Sequence, residues 1–138
     1  MIALSFALDY LSDMATENET RIVSIVDDDE SIREALQGLM KMVGIPALVF
    51  ASAEEFLDSG QLSRTGCLIA DIRMPGMSGL QLQSKLNSDH HRIPIIFITA
   101  HGDENVRIEA VRAGAVEFLT KPFDKVVLLD SVRAAFNS

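Results

Sequence analysis

The sequence has few of the residues on which several protein classes depend, cysteine and aromatic residues above all. Its 138 residues include one cysteine, no tryptophan and only 6% aromatic residues. A lone Cys67 excludes an internal disulfide and suits a reducing compartment, so we expect a cytoplasmic protein. No apolar run reaches the roughly 20 residues that span a bilayer, and we expect no membrane association.

Positive charge is also scarce. Twelve Lys and Arg residues stand against 20 Asp and Glu residues, which gives a net charge of −8. A basic face is the electrostatic signature of nucleic-acid binding. The composition therefore argues against DNA or RNA binding by the chain as given.

The chain has the length of one domain, preceded by an extension. Residues 1–20 carry Asp9, Asp13, Glu17 and Glu19 but no Lys or Arg, and we expect them to lie outside the core. Their apolar stretch over 1–11 alternates like a strand, although its Ala and Leu content favours a helix. Its apolar face is expected to cover this domain, a second copy or an absent region. Residues 21–138 form the single folded domain.

Strand and helix patterns alternate after residue 20. Strands are predicted at 22–26, 47–50, 67–71, 94–98 and 116–119. Helices are predicted from the acidic start at Asp29 and Glu30 to Gly44, after a Ser52 cap with Glu55 three residues on, and after Ser78 as a cap. Two more are predicted over 103–113 and 125–136, the last after the turn at 121–123. Five such units imply an α/β fold, with one parallel sheet covered by helices on both faces.

Carboxylates end two of the predicted strands. One strand delivers Asp71 to a Pro/Gly-rich turn, and another leads into Asp27 and Asp28. Asp71 alone could cap its turn, and a helix start accounts for the two acidic residues after Asp28, but neither reading explains Asp27 and Asp28. Because parallel strands end at one crevice, the three carboxylates should converge there, and such oxygen ligands suit Mg²⁺.

Thr99 and Lys121 follow the last two strands at the same rim of the predicted sheet. Taken singly, Thr99 fits an ordinary β-branched strand residue and Lys121 a solvated turn residue. Together with the carboxylates they form a set that can stabilise an incoming phosphoryl group, because a metal, a hydroxyl and an ammonium would spread its charge. A carboxylate nucleophile that forms an acyl phosphate has precedent in aspartyl-phosphate enzymes.

These motifs resemble those of receiver domains in bacterial two-component response regulators. The resemblance covers residues 21–136 and comprises, in order, Asp27-Asp28, Asp71 with the turn at 74–79, Thr99-Ala100 and Lys121-Pro122-Phe123. Segments 97–103 and 113–119 are most similar to the FixJ-type subclass, whose members usually carry a LuxR-type helix-turn-helix after the receiver. The resemblance implies a flavodoxin-like, doubly wound five-stranded parallel sheet of order 2-1-3-4-5 with five helices.

The resemblance also implies a role for each matched residue. Asp71 would accept a phosphoryl group from a sensor histidine kinase. The implied cofactor is Mg²⁺, with Mn²⁺ as a substitute, and its implied ligands are Asp27, Asp28, Asp71 and the main-chain carbonyl of Arg73. Lys121 would pair with the phosphoryl group, and its bond to Pro122 would be cis.

A switch and an output face follow from the same resemblance. Thr99 and Phe118 would rearrange together, while the residues that tune the lifetime of the phosphoryl group would be Arg73, Ala100 and His101. Phosphorylation would promote a homodimer through a face that includes Val106, Arg107, Ala110 and Val111. DNA would be bound only through a C-terminal domain absent from this chain. The domain would not be an enzyme beyond self-phosphotransfer and slow autodephosphorylation.

Two other functions stay open at this point. A Mg²⁺-dependent phosphohydrolase of the haloacid type also has acids at strand ends, but it should show Asp-x-Asp followed by Thr or Ser, where this sequence has Glu30. A receiver fold used only for binding, without phosphorylation, should lack the acidic pair, the threonine or the lysine. None of these is missing here.

Overall fold

Five strands and five α-helices alternate along the chain in a computed structural model, which describes residues 21–100 and 102–137. The strands are β1 (Ile22–Val26), β2 (Ala47–Phe50), β3 (Thr65–Ala70), β4 (Ile95–Thr99) and β5 (Glu117–Thr120). The helices are α1 (Glu30–Met42), α2 (Ala53–Leu57), α3 (Gly79–Ser88), α4 (Glu104–Arg112) and α5 (Lys125–Phe136). A short 3₁₀ helix, Leu62–Arg64, precedes β3. The predicted extension, residues 1–20, lies outside the described residues.

The strands form one parallel sheet in the order β2-β1-β3-β4-β5. This confirms the predicted fold class and strand order. Every residue of β1 and β4 is buried, as expected for inner strands of a sheet covered on both faces. Because all five strands run the same way, their carboxyl ends share one edge of the sheet.

Two separate hydrophobic layers cover the faces of the sheet. One layer packs strand residues such as Leu68 and Phe97 against residues of α2, α3 and α4, including Phe56, Leu82 and Ala110. The other packs residues such as Ile25 and Ile98 against α1 and α5, including Leu36, Met40, Leu128 and Val132. Successive strand residues alternate between the two layers, as the pleat of a strand requires.

Side-chain caps fix where the helices begin. The predicted cap at Ser52 is confirmed, since its side chain accepts a hydrogen bond from the N–H of Glu55. The Glu55 carboxylate, however, accepts from Ala51 rather than from Ser52, so the pair is not reciprocal. A reciprocal capping box occurs instead at the start of α3, between Ser78 and Gln81.

A helix that crosses a bilayer needs about 20 predominantly apolar residues. Within residues 21–100 and 102–137, no helix is long and apolar enough to cross a bilayer.

The burial of Cys67 in β3 predicts an unreactive thiol. Its side chain is fully buried, and desolvation raises the pKa of the thiol to about 12. Because the thiolate is the reactive form, alkylation at pH 8 should be about a thousandfold slower in the folded protein than in concentrated denaturant. Mass spectrometry after timed alkylation measures both rates. Equal rates in the two conditions would contradict the burial of Cys67.

Candidate functional site

Three carboxylates lie together at the carboxyl edge of the sheet. Asp27 and Asp28 follow β1, and Asp71 is the first residue after β3, its neighbour in the sheet. Main-chain hydrogen bonds continue the pairing past the strand ends, from Asp71 N–H to Val26 at 3.0 Å. Asp27 and Asp71 are buried, Asp28 is exposed, and one oxygen from each lies within 4.8 Å of the others. The structure thus brings together the three carboxylates predicted from the sequence.

The ammonium of Lys121 bridges two of these carboxylates. Its Nζ atom lies 2.9 Å from Oδ2 of Asp27 and 2.9 Å from Oδ2 of Asp71. The main-chain N–H of Lys121 donates to the carbonyl of Thr99 at 2.8 Å, which fixes the lysine at the end of β5 beside β4. The peptide bond to Pro122 is cis, as predicted.

Burial and pairing act in opposite directions on the two charges of the Asp27–Lys121 pair. Desolvation raises the pKa of the Asp27 carboxyl above its ordinary value, against the lowering effect of the Asp29 N–H and of Lys121. Desolvation acts to lower the pKa of the Lys121 ammonium, but the hydrogen bonds and charges of Asp27 and Asp71 outweigh it and raise that pKa. Burial prevails at Asp27 because its side chain is almost fully enclosed. Lys121 reaches solvent and has two acidic partners, so it stays charged at neutral pH.

The donor set fits a hard divalent cation. Carboxylate oxygens are the ligands that Mg²⁺ and related cations prefer. Three such groups converge here, and a single ammonium neutralises only part of their charge. Asp28, which is exposed, leaves one side of the cluster open to solvent. The residues present could therefore hold a metal ion between Asp27, Asp28 and Asp71.

A tight main-chain closure supports the loop after Asp71. The N–H of Gly79 donates to the carbonyl of Ile72 at 2.8 Å, and Oδ1 of Asp71 accepts from the N–H of Ile72 at 2.6 Å. A Cβ atom at position 79 would lie 2.1 Å from the carbonyl oxygen of Asp71. Only glycine permits this close approach of α3 to the acidic residue.

The predicted switch residues lie on two neighbouring strands, Thr99 at the end of β4 and Phe118 in β5. Thr99 is buried, and the ring of Phe118 packs at an angle against Phe97, with ring centroids 6.4 Å apart. A Cβ atom at Gly102 would lie 2.8 Å from Thr120 and 3.1 Å from the Phe118 ring, so this loop crosses close to both residues. Of the predicted modulatory residues, Arg73 and Ala100 are exposed, whereas His101 lies outside the described residues.

One member of the predicted dimer face needs correction. Ala110 is fully buried and belongs to the layer between α4 and the sheet, so its side chain cannot contact a partner from this position. Helical periodicity explains the difference, because Ala110 lies on the core side of α4. Val106 is half-buried against the same layer, while Arg107 and Val111 are exposed.

Arg33 contributes to the site and was not identified from the sequence. Its guanidinium donates to the main-chain carbonyl of Asp27 at 2.9 Å, which ties the first turn of α1 to the end of β1. Arg33 follows Asp27 by six residues, so a long side chain in the first turn of α1 can reach back to the end of β1. No pattern in the sequence distinguishes Arg33 from the other basic residues.

Fold and site together define a phosphoryl-accepting receiver domain of the two-component type. The family model described as response regulator receiver domain matches residues 23–133. The chain belongs to this family, whose members are signalling receivers rather than conventional enzymes.

Curated relatives place the chain near FixJ-like regulators. The response regulator protein TodT of Pseudomonas putida is 44% identical over 128 residues, which cover 93% of this chain and 54% of TodT. The transcriptional regulatory protein FixJ of Azorhizobium caulinodans is 40% identical over 117 residues, covering 85% of this chain and 56% of FixJ. The chain thus spans about half the length of these relatives.

Solved structures agree with this assignment. The response regulator StyR matches with a TM-score of 0.80 and 44% identity, covering 86% of this chain and 60% of that chain. FixJ-N matches with a TM-score of 0.77 and 38% identity, covering 85% of this chain and 94% of that chain.

The close approach at Gly79 predicts a strongly position-dependent effect of alanine. Gly79→Ala should lower the free energy of unfolding by more than about 2 kcal/mol, because the new Cβ would overlap the carbonyl oxygen of Asp71. Gly38→Ala is the matched control, since this exposed glycine of α1 has nothing within 4 Å of its Cβ position. It should raise the free energy by about 0.5 to 1 kcal/mol. Urea denaturation compares the variants, and similar stabilities for both would be inconsistent with the closure.

Proposed function

We propose that Asp71 is the phosphoryl acceptor of this receiver, and that a sensor histidine kinase is its donor. The observation that carries the proposal is the bridge of Lys121 to Asp27 and Asp71, with the three carboxylate oxygens clustered beside it. This arrangement supplies a nucleophile, a cation site and a positive group at one solvent-accessible edge. Those are the parts that phosphoryl transfer to a carboxylate needs.

In the transfer step, a carboxylate oxygen of Asp71 forms a bond to phosphorus. The bond between phosphorus and the donor histidine breaks, and its electron pair stays with the ring nitrogen. Lys121 can exchange a carboxylate for a phosphoryl oxygen and so stabilise the negative charge that arrives. Asp27, Asp28, Asp71 and the Arg73 carbonyl would hold Mg²⁺, for which Mn²⁺ would substitute. The cation would supply positive charge that offsets the charge of the phosphoryl and carboxylate oxygens.

Phosphorylation of Asp71 would change the conformation of the end of β4 and of β5. Thr99 would turn toward the phosphoryl oxygens and Phe118 would move inward, with Arg73, Ala100 and His101 setting how long the modified state lasts. The close contact of the loop at Gly102 with Thr120 and Phe118 supports such coupling. The surface formed by α4, β5 and α5 would change with them, and it would act as a two-state element that responds to phosphorylation.

The output we propose is a phosphorylation-dependent homodimer that controls a LuxR-type DNA-binding domain outside this chain. The FixJ-like relatives support this output. FixJ of Azorhizobium caulinodans is a transcriptional regulatory protein, and this chain covers about half of its length. Exposed valines on α4 and α5, including Val111, Val126 and Val127, give the face an apolar character.

Incubation with acetyl phosphate and Mg²⁺ tests the acceptor. Intact mass spectrometry should show one phosphoryl group per chain, and the adduct should be absent in Asp71→Asn and after chelation of the metal. Asp89→Asn is the control, because this exposed carboxylate pairs with Lys85 on the surface, and it should react as the wild type does.

The same experiment separates the alternatives. Rapid consumption of acetyl phosphate without an adduct would indicate a phosphohydrolase. Absence of any reaction in the wild type would indicate a receiver used only for binding. Either result would refute the assignment of Asp71.

The exposed valine of α4 predicts how the dimer can be blocked. Light scattering after size-exclusion chromatography should give the mass of one chain before treatment with acetyl phosphate and of two chains afterwards. Val111→Asp, at a residue 46% exposed, should keep the phosphorylated protein monomeric, because an unpaired carboxylate would be buried at the contact. Met42→Asp on α1, at a residue 76% exposed, should still dimerise. Dimers of equal stability in all three proteins would place the contact elsewhere.

A further inference from the structure

A carboxylate from α2 reaches across the rim of the sheet to the loop between β3 and α3. Oε1 of Glu54 accepts a hydrogen bond from the main-chain N–H of Met77 at 2.9 Å, although the two residues are 23 positions apart. β2 and β3 lie on opposite sides of β1. The contact therefore joins the first turn of α2, which follows β2, to the loop after β3, on either side of the end of β1, where Asp27 and Asp28 lie.

The main chain at Gly76 is shaped to admit this carboxylate. Gly76 has a φ of +78°, which disfavours residues with a side chain. A Cβ atom there would also lie 2.6 Å from Oε2 of Glu54. One carboxylate oxygen thus receives the N–H of Met77 while the other packs against the bare backbone of Gly76.

Glu54 supplies the second of two anchors for this loop. The first anchor is the closure between Gly79 and Ile72 at its base, and the second is the Glu54 contact at Met77, in the part of the loop that leads into α3. Ile72 and Met74 are buried, whereas Arg73 between them is exposed. The Arg73 carbonyl lies between the two anchors in sequence, so both of them restrict where it can point.

We propose that Glu54 is a positioning residue for the phosphorylation site. By holding Met77 it keeps the Arg73 carbonyl and the chain after Asp71 in the arrangement that binds the cation, without itself touching the cation or the phosphoryl group. The inference rests on the function proposed above. A loop freed from this anchor spends less time in the binding arrangement, and the apparent affinity for Mg²⁺ falls by that fraction.

Direct measurement of Mg²⁺ binding by isothermal titration calorimetry tests the proposal without requiring phosphorylation. Glu54→Ala should weaken the affinity about three- to tenfold, the range expected for one lost hydrogen bond. Glu54→Gln keeps an acceptor oxygen for the Met77 N–H and should stay within about twofold of the wild type. Glu54 is exposed, so truncation opens no cavity in the core.

Glu55→Ala is the matched control. Glu55 is also an exposed carboxylate in the first turn of α2, but it accepts a hydrogen bond from Ala51 within its own connection. It should bind Mg²⁺ as the wild type does. In the metal-free protein, hydrogen exchange of the Met77 amide should be faster in Glu54→Ala and unchanged in Glu55→Ala.

Two results would overturn the positioning role. One is a Glu54→Ala variant that binds Mg²⁺ as tightly as the wild type does. The other is an equal loss in both variants, which would indicate a general effect of negative charge near the site. A wild type that accepts no phosphoryl group from acetyl phosphate would refute the proposed function, whereas either result above in a wild type that does accept it refutes only the role of Glu54.

Discussion

The crowding of three carboxylates at one edge of the sheet, two of them paired with one ammonium, is the interaction on which the rest of this structure depends. Oxygens of Asp27, Asp28 and Asp71 within 4.8 Å of one another repel, and Lys121 offsets only part of that repulsion. The rigid sheet holds them together because β1 and β3 are paired along their length. Electrostatic strain of this kind is characteristic of functional sites, where a cation or a reacting group relieves it.

Most of the fold could be predicted because its strands are apolar runs and its helices have polar caps. The differences have local physical causes. β3 begins at Thr65, two residues before the predicted start, where Thr65 pairs with Ile22 of β1 and its hydroxyl lies 2.8 Å from the buried hydroxyl of Ser24. A polar pair satisfied inside the sheet gives no apolar signal. The order of the strands came from the resemblance of the motifs to receivers, since periodicity alone does not determine it.

The main residues of the site could be predicted because each stands at the end of its own strand. Local sequence identifies Asp27, Asp71, Thr99 and Lys121 as strand-end residues. The parallel topology then brings their side chains to one edge of the sheet. Glu54 and Arg33 were missed because their partners are main-chain atoms in other segments. Every residue type offers such atoms, so the sequence gives no signal for these contacts. Ala110 was misassigned for a related reason, since the side of α4 that faces the core depends on how the helix docks.

The ion pair between Lys121 and Asp27 joins residues 94 positions apart, from the first strand to the last. During synthesis the aspartates leave the ribosome well before the lysine does, and a nascent chain carries the acidic cluster without its counter-charge. If Asp71 accepts a phosphoryl group with the help of Lys121, as we propose, competence to do so would begin only when β5 has docked against β4. A partly folded chain would then not accept a phosphoryl group, and phosphorylation would be restricted to domains that have finished folding.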